Sequence, residues 1–163
     1  MGKEPWGKKF FPRTFHSDVW SHVMIDETVK NQVDALLQGW SEDPLQTKDV
    51  FVEYMKLLDD QPGVRQDFKA RPGVSYSLRA AHEKQEKRSL FVMVDVVDDE
   101  PEARWLSVCF YADMIQDPDE LGDFVPGGLL GEDACCFNLD ENDANMRAYI
   151  RARILEAAHS AAQ

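Results

Sequence analysis

Long apolar runs are absent from this chain of 163 residues. The longest one, residues 90–97, contains Asp95 and is far shorter than the roughly 20 residues that cross a bilayer. Residues 1–15 also lack the apolar stretch of about 7 to 15 residues found in secretory signals. We therefore expect a cytoplasmic protein that has no membrane partner.

Cysteine is scarce, with only Cys109, Cys135 and Cys136 in the chain. Three cysteines make a poor disulfide framework for a chain of this size, so we expect reduced thiols. The histidines and cysteines are not spaced as zinc ligands, and residues 117–128 lack the oxygen ligands that would complete a calcium loop. The sequence predicts no metal and no cofactor.

Basic residues are outnumbered, with 18 Lys and Arg against 30 Asp and Glu and a net charge of −12. This charge opposes a phosphate backbone and argues against nucleic acid as a partner. The charge is also polarised, because residues 95–143 hold fifteen acidic residues and one basic residue, whereas residues 65–88 hold seven basic and three acidic ones. Such polarity can orient a partner, but a solvated acidic loop that aids solubility is the favoured explanation.

Catalytic signatures are missing too. The chain contains no Gly-x-Ser-x-Gly elbow, and residues 127–131 lack the lysine of a phosphate-binding loop. Cys109 and Cys136 are candidate nucleophiles without a local signature, and a role in the core or on a sheet face is the alternative.

The periodicity that is present predicts both helices and strands. Apolar residues follow helical stripes over residues 26–40, 50–58 and 146–157, and Asp143 offers an N-cap for the last stripe. Alternating patterns predict strands at residues 74–81, 90–97, 105–112 and, more briefly, 134–139. Between the last two strands, residues 113–131 are expected to form a mobile acidic loop.

This order predicts an α+β fold. We expect a two-layer sandwich in which an antiparallel meander of three to four strands packs against two N-terminal helices and one C-terminal helix. Residues 1–15 form an aromatic and basic N-terminal arm, and residues 16–163 a single α+β domain. The arm interleaves basic residues with Trp6, Phe10, Phe11 and Phe15, so we expect it to dock on this domain or on a neighbouring subunit.

One face of the predicted sheet stands out by its mixed chemistry. Val74, Leu90 and the aliphatic residues in register with them are expected to face the helices. Alternation then places the following residues on the opposite face: Ser75, Ser77, Arg79, Phe91, Met93, Asp95, Trp105, Ser107, Cys109 and Tyr111. This set is too apolar for a solvated face and too polar for a core. It suits a ligand pocket or a subunit interface, unless the arm or a helix covers it.

Two functions follow from this face. The first is a non-enzymatic binding or protein-interaction domain that uses it for a small molecule, a protein partner or self-association as a homodimer. The second is a small hydrolase-like or transferase-like enzyme, in which Arg79 orients an anion, Asp95 acts as a base and Cys109 or Tyr111 is reactive. A shared concavity with shifted pKa values would favour the enzyme, and a flat face the interface.

Overall fold

The computed structural model describes residues 26–163, which form three helices and a six-stranded antiparallel sheet. The elements are α1 (Glu27–Gly39), α2 (Thr47–Asp59), β1 (Val64–Arg71), β2 (Ser75–His82), β3 (Val92–Val97), β4 (Trp105–Tyr111), β5 (Asp123–Leu129), β6 (Glu132–Leu139) and α3 (Ala144–Ala161). The α+β class is confirmed, but the prediction of three to four strands is wrong. The arm predicted at residues 1–15 and the domain start at residue 16 lie outside the described residues. None of the three described helices has the length and apolar character needed to cross a bilayer.

At the start of each described helix, an aspartate carboxylate accepts hydrogen bonds from backbone amides of the first turn. Asp26 accepts a hydrogen bond from the Thr28 amide at the start of α1, and Asp143 accepts from two amides in the first turn of α3. Asp43 accepts from the Thr47 amide at 2.9 Å and so closes the start of α2. These carboxylates satisfy amides that a helix start leaves without partners, which fixes where each helix begins.

The strand order is β1-β2-β3-β4-β6-β5, so the chain passes outward from β4 to β5 and returns through β6. The two strands that the sequence did not predict, β1 and β5, are the two edges of this sheet. Phe68 is the only fully buried residue of β1, and Leu129 the only one of β5. Pro126 and an irregular register beyond Val125 further interrupt β5.

The sheet has two faces of different character. The face that we call the first face contributes aliphatic and aromatic side chains to the main core, as in the row Leu78, Val94, Val108 and Phe137. That core contains residues from α1, α2 and α3, and none of its strand residues lies on the opposite, second face. Within residues 26–163, the helices and the sheet therefore share their core on one side only.

The predicted alternation fails just before β3. Leu90 was expected in the main core, but it packs in a small separate cluster with Tyr111, Leu129 and Ala134, whereas Phe91 belongs to the main core. Regular pairing begins only at Val92, so the side chains of Leu90 and Phe91 do not continue the alternation between faces that holds within β3. Val74 was also expected in the core, but it lies in the turn before β2 and is exposed.

A buried ion pair lies at the end of the sheet where the turns β1–β2 and β3–β4 meet. Arg104 Nε lies 2.7 Å from Asp98 Oδ1, and Asp98 Oδ2 accepts from the Gly73 amide at 2.8 Å. The Arg104 carbonyl accepts from the Thr47 hydroxyl at 2.7 Å, and its guanidinium lies over the Trp40 ring. This pair joins both turns to α2 and to the end of α1.

The acidic segment before β5 is docked, in contrast to the mobile loop that its composition predicted. The Asp117 carboxylate accepts hydrogen bonds from the Leu121 and Gly122 amides and from the Tyr149 hydroxyl of α3. Burial raises the pKa of Asp117, but these three hydrogen bonds outweigh that effect and lower the pKa below its ordinary value. The carboxylate therefore organises the segment on the surface of α3.

Replacing Gly122 tests this docking. A Cβ added there would lie 2.5 Å from Cys135 Sγ and 2.9 Å from the Phe137 ring. We expect Gly122→Ala to lower the free energy of unfolding by about 1 to 3 kcal/mol, because overpacking forces the segment off the core. Gly39→Ala is the control, since a Cβ there has nothing within 4 Å. Equal denaturant midpoints for the two variants would contradict the docked segment.

Candidate functional site

Of the ten residues predicted for the face opposite the helices, Phe91 lies in the main core, and the other nine lie on the second face in four adjacent rows. One row runs Ser77, Asp95, Ser107 and continues to Asn138, and the next runs Arg79, Met93, Cys109 and Cys136. Ser75 and Trp105 lie on either side of Val97 in a third row. Tyr111 lies opposite Ala134 in the fourth row. The register thus brings the polar residues to the middle of the face, with apolar side chains in the rows around them.

The unpredicted edge strands add charged residues to the same face. Lys69 lies opposite Ser77 and Arg71 opposite Ser75, and Arg65 follows the same parity along β1. At the far edge, Asp123 lies opposite Cys136. The spacing of Arg65, Asp67, Lys69 and Arg71 was the available signal for β1. It was missed because Val64 and Phe68 are the only large apolar residues of that strand.

Asp95 occupies the centre of the second face between two serines. Its Oδ1 atom is buried and has no hydrogen-bond partner among residues 26–163. Burial raises the pKa of Asp95, while the Ser77 hydroxyl and the charges of Arg79 and Arg71 oppose that rise. A carboxylate whose desolvation is incompletely compensated destabilises the fold when it is ionised.

A disulfide joins Cys109 and Cys136 directly across β4 and β6 on this face. The expectation of reduced thiols is therefore wrong for these two residues, because the pairing of β6 with β4 brings them opposite each other. Neither is a free thiol nucleophile in this structure. Cys135 remains free, points to the first face and has its pKa raised by burial and by nearby Asp117 and Asp123.

Arg88 covers Tyr111 at one corner of the second face. Its guanidinium lies 4.1 Å from the centroid of the Tyr111 ring and forms ion pairs with Asp113 and Glu132. Burial first, and then the charge of Glu132, raises the pKa of Tyr111. Tyr111 therefore stays protonated near neutral pH, and its ring serves as a packing surface.

Three depressions lined by described residues lie away from these nine residues. One, of about 730 Å³, is open and lies between the β2–β3 loop and the end of α3, where Lys84, Arg88, Asp113 and Gln163 contribute charge and polarity of both signs. Two smaller ones lie near His159, and none of the three is lined by a residue predicted for the site. Residues 26–163 also contain no group of three or more His, Cys, Asp or Glu side chains placed to hold a metal ion.

Comparison with known proteins gives no further assignment: no protein-family model, no curated protein and no solved structure matches this chain. The site must therefore be interpreted from its own chemistry.

Asp95→Asn tests the unfavourable carboxylate. Because the folded state raises the pKa above its ordinary 3.8, ionised Asp95 destabilises the fold at neutral pH, and this penalty fades as the pH falls through the folded pKa. We expect Asp95→Asn to melt at a higher temperature than the parent at pH 7, with the difference shrinking in acid. Asp99→Asn, on the exposed turn, is the control. A lower melting temperature for Asp95→Asn at pH 7 would contradict this account.

Thiol labelling tests the disulfide. In denaturant without reductant, we expect only Cys135 to react, and all three cysteines after reduction. Loop-closure entropy for a separation of 27 residues predicts that Cys109→Ser lowers the free energy of unfolding by about 3 kcal/mol. Cys135→Ser, which removes no cross-link, should lose much less. Three labelled cysteines before reduction would show that the bond is absent.

Proposed function

We propose that this chain is a non-enzymatic protein-interaction domain and that the second face of its sheet is the surface that binds another polypeptide. The observation that carries this proposal is the one-sided arrangement of the described fold. The core of the three helices takes all its strand residues from the first face. The second face is left with Met93, Val97 and Trp105 at half-buried positions in its middle strands.

The composition of the second face supports a protein partner. Its middle combines apolar and aromatic side chains with few charges, and Arg65, Lys69 and Arg71 are exposed along one edge. An apolar centre with a charged rim is the usual anatomy of a protein interface. Burying the apolar centre is favourable by roughly 25 cal/mol per Å² of apolar surface, and the rim then supplies orientation.

Asp95 supports the same function by its unfavourable position. A charge that destabilises the fold at the centre of a surface is a feature that functional surfaces retain at the expense of stability.

A flat interface fits these observations better than a small-molecule site or the enzymatic alternative. The depressions described above are not lined by the nine residues, although small-molecule sites are usually concave. The enzymatic alternative also loses the thiol of Cys109, and Tyr111 is held neutral beneath Arg88. The Ser77 hydroxyl does interact with Asp95, but Ser77 is fully buried and so is not open to a substrate.

Site-specific photo-cross-linking tests the proposed function. Lys69, exposed on the second face, is replaced by p-benzoylphenylalanine in the full-length chain, and the cells that produce it are irradiated. We expect a discrete intermolecular product whose yield falls at least tenfold when Trp105→Ser is added, because the apolar centre that holds the partner is then lost.

The same amino acid at Leu155 is the matched control, since Leu155 is exposed on α3 and lies on the helical side. Cross-links of equal yield from both positions would be contrary to a binding role for this face. So would a product from position 69 that Trp105→Ser leaves unchanged, or the absence of any intermolecular product.

A further inference from the structure

We infer that the polypeptide bound by the second face is a second copy of this chain, in a two-fold symmetric dimer whose axis runs parallel to the strands. This inference rests on the proposed function, because it names the partner for the same face. It is carried by the distribution of charge from one edge of the sheet to the other.

The two edges of the second face carry opposite charge. Among the described residues, the β1–β2 edge of the second face carries one carboxylate, Asp67, and four cations: Arg65, Lys69, Arg71 and Arg79. Among the described residues, the β5–β6 edge and the adjoining corner carry one cation, Arg88, and three carboxylates: Asp113, Asp123 and Glu132. The basic edge and the acidic edge are separated by the nearly uncharged strands β3 and β4.

Symmetry selects one way of pairing such a face with itself. A two-fold axis in the plane of the interface and parallel to the strands places β1 of one copy over β5 of the other, so each basic edge meets an acidic edge. An axis perpendicular to the strands places β1 over β1 and brings like charges together. Charge complementarity therefore favours the first arrangement.

The same axis places the centre of the face over itself. It passes between β3 and β4, where Asp95 and Ser107 lie directly opposite each other in the register. In an aligned packing, Asp95 of one copy then lies over Ser107 of the second copy. Val97 and Trp105 in the adjacent row supply the apolar centre.

The area of the face sets the expected strength of the dimer. Six strands about 4.8 Å apart and about 20 Å long present roughly 500 Å² per copy. Two such faces bury about 1,000 Å², which exceeds most crystal contacts but lies below the standard interface of about 1,600 Å². We therefore expect a reversible dimer that dissociates on dilution through the micromolar range and weakens with salt.

A charge-exchange experiment tests the inference on the full-length chain. Lys69→Glu and Asp123→Lys each place like charges at both edges of their homodimers, so sedimentation velocity should show at least tenfold weaker self-association for each variant. An equimolar mixture should recover association near that of the parent, because the heterodimer restores opposite charge at both edges. Asp123 lies in the row of Asp67, which is flanked on β1 by Arg65 and Lys69, so the attraction acts between neighbouring rows. Lys56→Glu, on exposed α2 surface, is the control and should dimerise like the parent.

Recovery in the mixture supports the dimer and also shows that the variants are folded. A parent that is monomeric throughout the micromolar range overturns the inference, as does a dimer whose variants fail to recover on mixing. If the parent is monomeric but position 69 still cross-links another protein in a way that Trp105→Ser abolishes, the partner is a different protein and the proposed function stands. If removal of residues 1–13 turns a monomeric parent into a dimer, the arm covers the face and this inference is wrong.

Discussion

The ion pair between Asp98 and Arg104 is the constraint that holds the two layers in one arrangement. Both side chains are nearly excluded from water. The second carboxylate oxygen of Asp98 binds the β1–β2 turn, and Arg104 contacts α2 and the end of α1. Separating such a pair typically costs about 3 to 5 kcal/mol, which is a large part of the 5 to 15 kcal/mol that stabilises a domain. The orientation of the sheet, and therefore the direction in which the second face points, depends on this contact.

The helices and inner strands could be predicted because burial on one side leaves a periodic pattern. Asp26 and Asp143 indicated two helix starts, and β-branched residues alternate through β3 as the sheet requires. The edge strands could not be predicted in this way. Phe68 and Leu129 are their only fully buried residues, and the glycines and proline of β5 resemble those of a loop. An edge strand is fixed by pairing with its neighbour, which a local pattern does not report.

The composition of the candidate site followed from alternation, but its charge distribution did not. The nine residues come from β2, β3 and β4, which the sequence predicted. Lys69 and Asp123 join the face only through β1 and β5, and the bond between Cys109 and Cys136 requires that β6, not β5, pairs with β4. Tertiary pairing therefore converts a mixed surface into a polarised one, and of the two uses expected from the sequence, a pocket or an interface, this polarity favours the proposed interface.

The bond between Cys109 and Cys136 closes a covalent ring that contains the whole of β5 and the acidic segment before it. The tip of the β5–β6 hairpin, with the exposed Leu130 and Gly131, is the kind of site at which proteases cut folded proteins. A cut there opens the ring without releasing either fragment. The nicked protein would keep its full mass on a non-reducing gel and separate into two pieces only after a reductant had broken the disulfide.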